Sequence, residues 1–241
     1  MPNNSLLTIN NLNVFYGSAQ VLHNITLDIG AEPVSIVGRN GMGKTTLCNA
    51  IMGLVPAASG QIQFGDIALV GRRPFQIARS GIGYVPQGRR IFPSLTVDEH
   101  LKMLNSNPTK GTQWTIDRIY EIFPRLFERR TSGAGKLSGG EQQMLAIGRA
   151  LLLNAKLLIM DEPSEGLAPV IVDQLVEVLK QLSQGDIGLL VIEQKLAVAA
   201  ELAERMLVMV NGQIALETTA AKLLTDEGAQ RRYLGVSPLE N

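Results

Sequence analysis

Near the start of the chain, GRNGMGKT places Gly38, Gly43, Lys44 and Thr45 at the spacing G-x4-G-K-S/T. Glycines at this spacing let backbone N–H groups turn inward around phosphate oxygens. A helix starting at the loop adds its partial positive charge; Lys44 then neutralises terminal phosphates, and the Thr45 hydroxyl is suited to ligating Mg²⁺. The complement is LLIMDEPSEG, in which four apolar residues end in Asp161 and Glu162. That places two carboxylates past the C-terminal end of a strand, where open α/β sheets bind ligands. Asp161 is expected to hold Mg²⁺, and Glu162 to polarise the attacking water or accept its proton during phosphoryl transfer. A guanine-reading Asn-Lys-x-Asp does not occur in the chain.

A second helix start looks exposed. KLSGGEQQMLAIGRALL, Lys136 to Leu152, has Ser138 and Glu141 at capping-box spacing, with Gly139 and Gly140 between them. The box accounts for the serine and the glutamate. It leaves two glycines in a first turn, each costing roughly 1 kcal/mol relative to alanine, so close approach of another group to the backbone is expected, with an anion the natural candidate. Spacing alone does not say whether this helix start and the loop at Gly38 meet on one nucleotide.

These groups need an α/β scaffold. LLTINNLNVFYGSAQVLHNITLDI alternates apolar and polar residues around a Tyr16-Gly17-Ser18 turn, which predicts antiparallel strands. PVSIVG leads as a strand into the glycine loop, and KTTLCNAIMGL follows as a helix stopping at Gly53. Pro86 and Pro93 interrupt the next segment and mark a subdomain boundary. Residues of about 95 to 135 look mainly helical, on the apolar spacing of Ile116, Ile119, Tyr120 and Phe123 up to Pro124. The second half alternates helices (141–153, 170–182, 196–203) with apolar strands at LLIM, GLLVIE and MLVMV, the pattern of a parallel sheet buried on both faces. The tail predicts one amphipathic helix.

Composition narrows the function classes. Twenty-two basic residues balance twenty-two acidic ones, so no global positive field favours nucleic acid. Cys48 is the only cysteine, which excludes an intrachain disulfide, and the absence of a secretory leader makes the cytoplasm the expected compartment. The apolar runs fall far short of the ~20 residues a bilayer requires. Cys48, Trp114 and the eight methionines are expected to pack in the interior or at subunit contacts, and His23 and His100 to be surface or local packing residues.

LSGGEQ at 137–142, closely followed by LLIMDEP and preceded by GRNGMGKTT and by Gln87 of YVPQG, resembles the ATP-binding subunit of ABC transporters over about residues 6 to 220. The resemblance implies one ABC ATPase domain: a RecA-like P-loop NTPase core with an antiparallel β subdomain (about 1–87 and 137–220), an inserted helical subdomain (about 88–136) and a tail (221–241). It implies a head-to-tail dimer. In it each ATP lies between the loop of one subunit (Gly38, Arg39, Asn40, Gly41, Gly43, Lys44, Thr45 and Thr46) and Ser138, Gly139 and Gly140 of the other. Tyr16 would stack on adenine, while Gln87 would sense Mg²⁺ and the attacking water beside Thr45 and Asp161.

Gln194 of VIEQ stands where most relatives carry a histidine on the terminal phosphate; it can still donate and accept hydrogen bonds but cannot become cationic. The catalytic set implied is Glu162, Lys44, Gln194 and Gln87. Residues of about 88 to 103 would meet a permease subunit's cytoplasmic helix, and SEGLAP would be the dimer-crossing loop, departing at 164–166 from the Ser-Ala-Leu-Asp often found there. The partners implied are a second ATPase subunit, identical or different, integral membrane permeases and, indirectly, a periplasmic or extracellular solute-binding protein, at the cytoplasmic face of the membrane. The motifs together are similar to the smaller ATPase subunits of branched-chain amino acid importers, with urea and amide importers close behind. The rival readings are a non-transport ABC ATPase, a phosphotransferase on a small acceptor and a non-hydrolysing regulatory subunit.

Overall fold

The computed structural model describes residues 5–104, 114–185 and 187–235. Strands β1 (Leu7–Tyr16) and β2 (Ala19–Ile29) form the expected hairpin, and β3 (Val34–Val37) runs through the glycine loop into α1 (Lys44–Ile51). Next come β4 (Ser59–Phe64), β5 (Ile67–Ala68), α2 (Pro74–Arg79) and β6 (Ile82–Val85). The described helices that follow are α3 (Val97–Lys102), α4 (Ile116–Ile122), α5 (Pro124–Glu128) and α6 (Gly139–Leu151). The chain then alternates β7 (Leu157–Asp161), α7 (Pro169–Ser183), β8 (Gly188–Glu193), α8 (Leu196–Leu202) and β9 (Arg205–Val210). It ends with β10 (Gln213–Thr219), α9 (Ala220–Thr225) and α10 (Glu227–Ala229).

Two sheets result. One is antiparallel, in the order β2-β1-β4-β5; the other runs β10-β9-β3-β8-β7-β6, parallel from β9 to β6 with β10 antiparallel at its edge. Strands β7 and β8 are buried along their whole length because both faces are covered. Leu158, Met160, Leu189 and Val191 pack with residues of α6 and α7. Their alternates Leu157, Ile159, Leu190 and Ile192 pack with α1 and the antiparallel sheet. Each such side chain contributes roughly 1.5–3 kcal/mol of burial, which makes this two-sided sheet the rigid frame of the site.

Some expectations are corrected. The tail is not one helix: α9 ends at Thr225, and the Asp226 carboxylate accepts the Ala229 N–H at 2.8 Å, starting a new turn. A π-helical turn, Gln230–Leu234, follows; Gln230 is buried and donates to the Leu223 and Leu224 carbonyls. Pro124 both ends α4 and opens α5 as its first residue. Residues 105–113 of the expected helical stretch, and tail residues 236–241, lie outside the described residues.

Candidate functional site

Parallel register gathers the site. Val37 pairs with Glu193, Ile192 with Asp161 and Met160 with Val85, so β3, β8, β7 and β6 end side by side. The loops leaving those ends carry the phosphate loop, Gln194, Glu162 and Gln87. Residues separated by more than 150 positions thus share one sheet edge.

Within the phosphate loop, Gly38 is buried with its missing Cβ only 2.5 Å from the Met209 carbonyl oxygen, and Gly43 opens α1 at φ 99°, a left-handed angle that suits glycine. Lys44 is 4% exposed. Its Nζ donates to the Gly38 carbonyl at 2.7 Å and the Arg39 carbonyl at 3.1 Å, and pairs with Glu162 Oε1 at 3.2 Å. Asn40, Gly41, Lys44, Thr45, Gln87 and Glu162 line a cavity of about 290 Å³, as do Gly43 and Thr46. The loop, Glu162 and Gln87 therefore meet at one cavity. The side chain of Arg39 points outward, exposed, and only its carbonyl serves the loop.

Asp161 is 1% exposed, and neither carboxylate oxygen has a hydrogen bond of good geometry among the described residues. Burial pushes its pKa above the usual carboxylate value, opposed by the neighbouring Thr45 hydroxyl, while Glu162 raises it further. A buried carboxylate whose one neighbouring donor among the described residues is the Thr45 hydroxyl makes with it a hard-oxygen pair that fits Mg²⁺, which takes one or two protein oxygens plus substrate phosphates. Glu162 holds φ 50°, rare for a residue with a side chain, and its N–H donates to the Ile192 carbonyl at 2.8 Å. Gln87 Nε2 lies 3.5 Å from Glu162 Oε2 and donates to Glu165 Oε2 at 3.0 Å.

Ser138 and Glu141 form the capping box: the Ser138 N–H donates to Glu141 Oε2 at 2.8 Å and the Glu141 N–H to Ser138 Oγ at 3.3 Å. This helix start lines a different cavity of about 570 Å³, so one chain does not bring Ser138, Gly139 and Gly140 onto its own phosphate loop. Both glycines have neighbours within the chain. A Cβ on Gly140 would lie 2.5 Å from Ile171 Cγ2 of α7, and one on Gly139 would lie 3.2 Å from the Arg89 guanidinium. For Gly140 the contact with Ile171 is a packing reason for the missing side chain that sequence reasoning did not weigh.

Tyr16 ends β1 with 48% of its surface exposed and stands outside the lining of the phosphate-loop cavity. Gln194 is exposed just past β8, also outside that lining. Cys48 and Trp114 are buried in the interior; His100 is buried too, so it is a packing residue rather than a surface one, and His23 is half-buried. Sequence reasoning missed Arg89, which donates to the Glu165 carbonyl at 3.2 Å, and Glu193, buried beneath Gln194. An arginine in a loop and a glutamate closing an apolar strand carry no spacing signal.

The family described as ABC transporter matches residues 22–165, more than half of the chain. This chain is an ABC transporter family member. Over 232 residues the ABC ATPase is 43% identical to the high-affinity branched-chain amino acid transport ATP-binding protein BraG of Pseudomonas aeruginosa, covering 95% of this chain and 100% of BraG. It is similar to a nucleotide-free ATP-binding cassette from an ABC transporter, at TM-score 0.83 and 26% identity over 97% of this chain and 99% of that one. It is also similar to a dimeric bacterial ABC transporter cassette, at TM-score 0.78 and 25% identity over 89% and 98% of the two chains. The ABC ATPase binds nucleotide, and ATP hydrolysis powers transport in this family. Among its described residues no helix is long and apolar enough to cross a membrane.

Proposed function

We propose that this ABC ATPase powers import of branched-chain or other hydrophobic amino acids, as one of two ATPase subunits bound to permease subunits at the cytoplasmic face of the membrane. The observation that carries the site assignment is the buried contact of Lys44 with Glu162, made across the end of β8, which lies between β3 and β7. The likeness to BraG supports the substrate class. Two anion-ready surfaces in separate cavities of one chain support a dimer, identical or mixed, in which Ser138, Gly139 and Gly140 close over the partner's nucleotide. Segment 88–136 is assigned as the helical subdomain, with 88–103 facing the permease, and a solute-binding protein delivers the amino acid outside.

In this reading ATP enters with its phosphates over Gly41, Gly43 and the first turn of α1, and Lys44 exchanges loop carbonyls for phosphate oxygens. Arg39, Asn40 and Thr46 extend the loop, Gly38 lets it pass close to β9, and Tyr16 stacks on the adenine. Thr45, Asp161 and Gln87 would hold Mg²⁺, which neutralises phosphate charge. Glu162 takes the proton of the attacking water, and Gln194 positions the terminal phosphate by donating to it. Because Gln194 cannot become cationic, the hydrolysis rate is modest.

The test is uptake of labelled leucine, isoleucine and valine by cells carrying the native system with Glu162→Gln in this chain. Loss of that uptake is the expected result. Unchanged uptake of all three, with urea or amide uptake lost, would reassign the solute. Product analysis showing a phosphorylated acceptor in place of free phosphate would make the chain a phosphotransferase.

A further inference from the structure

Beneath Gln194 lies a carboxylate with no part in the steps above. Glu193 closes β8 and is 1% exposed. Its Oε1 accepts the Ser164 N–H at 3.0 Å, and its Oε2 accepts the Gln194 N–H at 3.2 Å. Ser164 is itself 1% exposed, and its hydroxyl lies beside the same carboxylate. Burying a carboxylate is costly unless donors replace its water, and every residue of β8 is buried, so an aliphatic side chain would pack there without that cost. What the carboxylate adds is two acceptors fixed to a central strand and aimed at two different loops.

Both loops belong to the hydrolytic site. The carbonyl of Ile192, one residue earlier, holds the Glu162 N–H at 2.8 Å. Together with the Ser164 anchor, the end of β8 pins the chain on both sides of Pro163 and holds Glu162 in its left-handed conformation. From Ser164 the chain runs on to Glu165, whose carboxylate receives Gln87 and whose carbonyl receives Arg89.

We propose that Glu193 is a positioning residue for ATP hydrolysis: its two oxygens lock the 164–166 loop and Gln194 into one geometry around Glu162, so that these groups move as a unit. The proposal rests on the assignment of Glu162 and Gln194 to the hydrolytic step. Glu193 does not line the phosphate-loop cavity, so it acts through its neighbours. Replacement by glutamine keeps its size but offers one acceptor and one NH₂ to two N–H donors, so one loop is released.

The experiment measures steady-state phosphate release and ATP binding for the chain assembled with its membrane subunits, comparing wild type, Glu193→Gln, Glu162→Gln, Gln194→Ala and Glu193→Gln/Gln194→Ala. Glu193→Gln is expected to lower kcat about tenfold or more with KM within about threefold, the mark of an interaction needed in the transition state only. The double variant is expected to lose less than the product of the single losses, because Glu193 acts in part through Gln194. Turnover of Glu193→Gln within about twofold of wild type overturns the proposal, as do strictly multiplicative losses. So does a parallel fall of ATP binding, turnover and melting temperature, which would make Glu193 a folding residue. If Glu193→Gln does not fold, Glu193→Asp, with both acceptors one methylene further back, is held to the same split of kcat from KM. Wild-type turnover in both Glu162→Gln and Gln194→Ala would remove the underlying assignment, and the proposal with it, whatever Glu193→Gln does.

Discussion

Lys44 Nζ lies 3.2 Å from Glu162 Oε1, with only 4% and 8% of the two side chains exposed. The ammonium and the carboxylate neutralise each other; in the proposed function the first meets phosphate and the second the attacking water. Breaking one side of a buried pair leaves the other uncompensated, so the two residues have separable phenotypes. Lys44→Ala should weaken ATP binding about tenfold to a hundredfold, on the scale of ~1.5–3 kcal/mol for hydrogen bonds to charged groups. Glu162→Gln should leave binding intact while phosphate release falls about 10²-fold or more. Nucleotide titration beside a phosphate-release assay checks both; equal loss of binding in the two variants would contradict this division.

Asp161 should trade stability for activity. Burial raises its pKa in the folded chain, so its ionised form costs stability at neutral pH, and that cost disappears as the pH falls through the folded value towards the ordinary ~3.9. Asp161→Asn should therefore melt higher than wild type at pH 7 in the absence of nucleotide, by about 2–4 °C for each 1 kcal/mol relieved. The gap should narrow on acidification, and hydrolysis should be lost. Calorimetry from pH 7 to about 5 decides it, since a variant that melts lower at pH 7 contradicts the unpaired-carboxylate reading.

Gly140 is small because of Ile171. Gly140→Ala should destabilise the chain by roughly 1–3 kcal/mol, the usual cost of forcing a carbon into filled space. Ile171→Ala in the same chain should return most of that loss, because the carbon 2.5 Å away is gone. Denaturant unfolding of the single and double variants measures the coupling. If the double variant is no more stable than Gly140→Ala, packing is not the reason for the glycine.

His100 should make the 92–100 segment sensitive to acid. It is buried, its ring stacks on Phe92 with centroids 5.6 Å apart, and Nε2 lies 3.0 Å from the Phe92 carbonyl oxygen. Burial lowers its pKa, opposed by the contact with the Phe92 backbone, with the nearby Arg149 lowering it further. For a base whose folded pKa is depressed, stability is present above the ordinary ~6.5 and is lost as the pH falls through the folded value. The wild-type melting temperature should therefore fall more between about pH 6.5 and 5 than that of His100→Gln, which cannot titrate there. Parallel melting curves across that range would refute the assignment.

Legibility followed locality. The loop from Gly38 to Thr46 was readable because one contiguous segment supplies its amides, ammonium and hydroxyl, and the Ser138–Glu141 box because a helix start is closed by residues three apart. Helix α2 was not readable, since only Ile77 of its six residues is buried and no apolar stripe forms. Strand β10 lies at the sheet edge, where its partly exposed residues give no continuous apolar run. Glu193 reads as the polar end of a strand until the fold places Ser164 against it.

Sequence alone determined which groups this ATPase owns and the local turns that present them, because hydrogen bonds within a few residues need no distant partner. Tertiary structure decided which of those groups meet. Parallel register aligned the ends of β3, β6, β7 and β8, and so put Lys44 beside Glu162 and Gln87 beside Glu165. It also decided that Gly140 answers to Ile171 within the chain, since steric contact between two helices depends on their packing and leaves no spacing in the sequence to read.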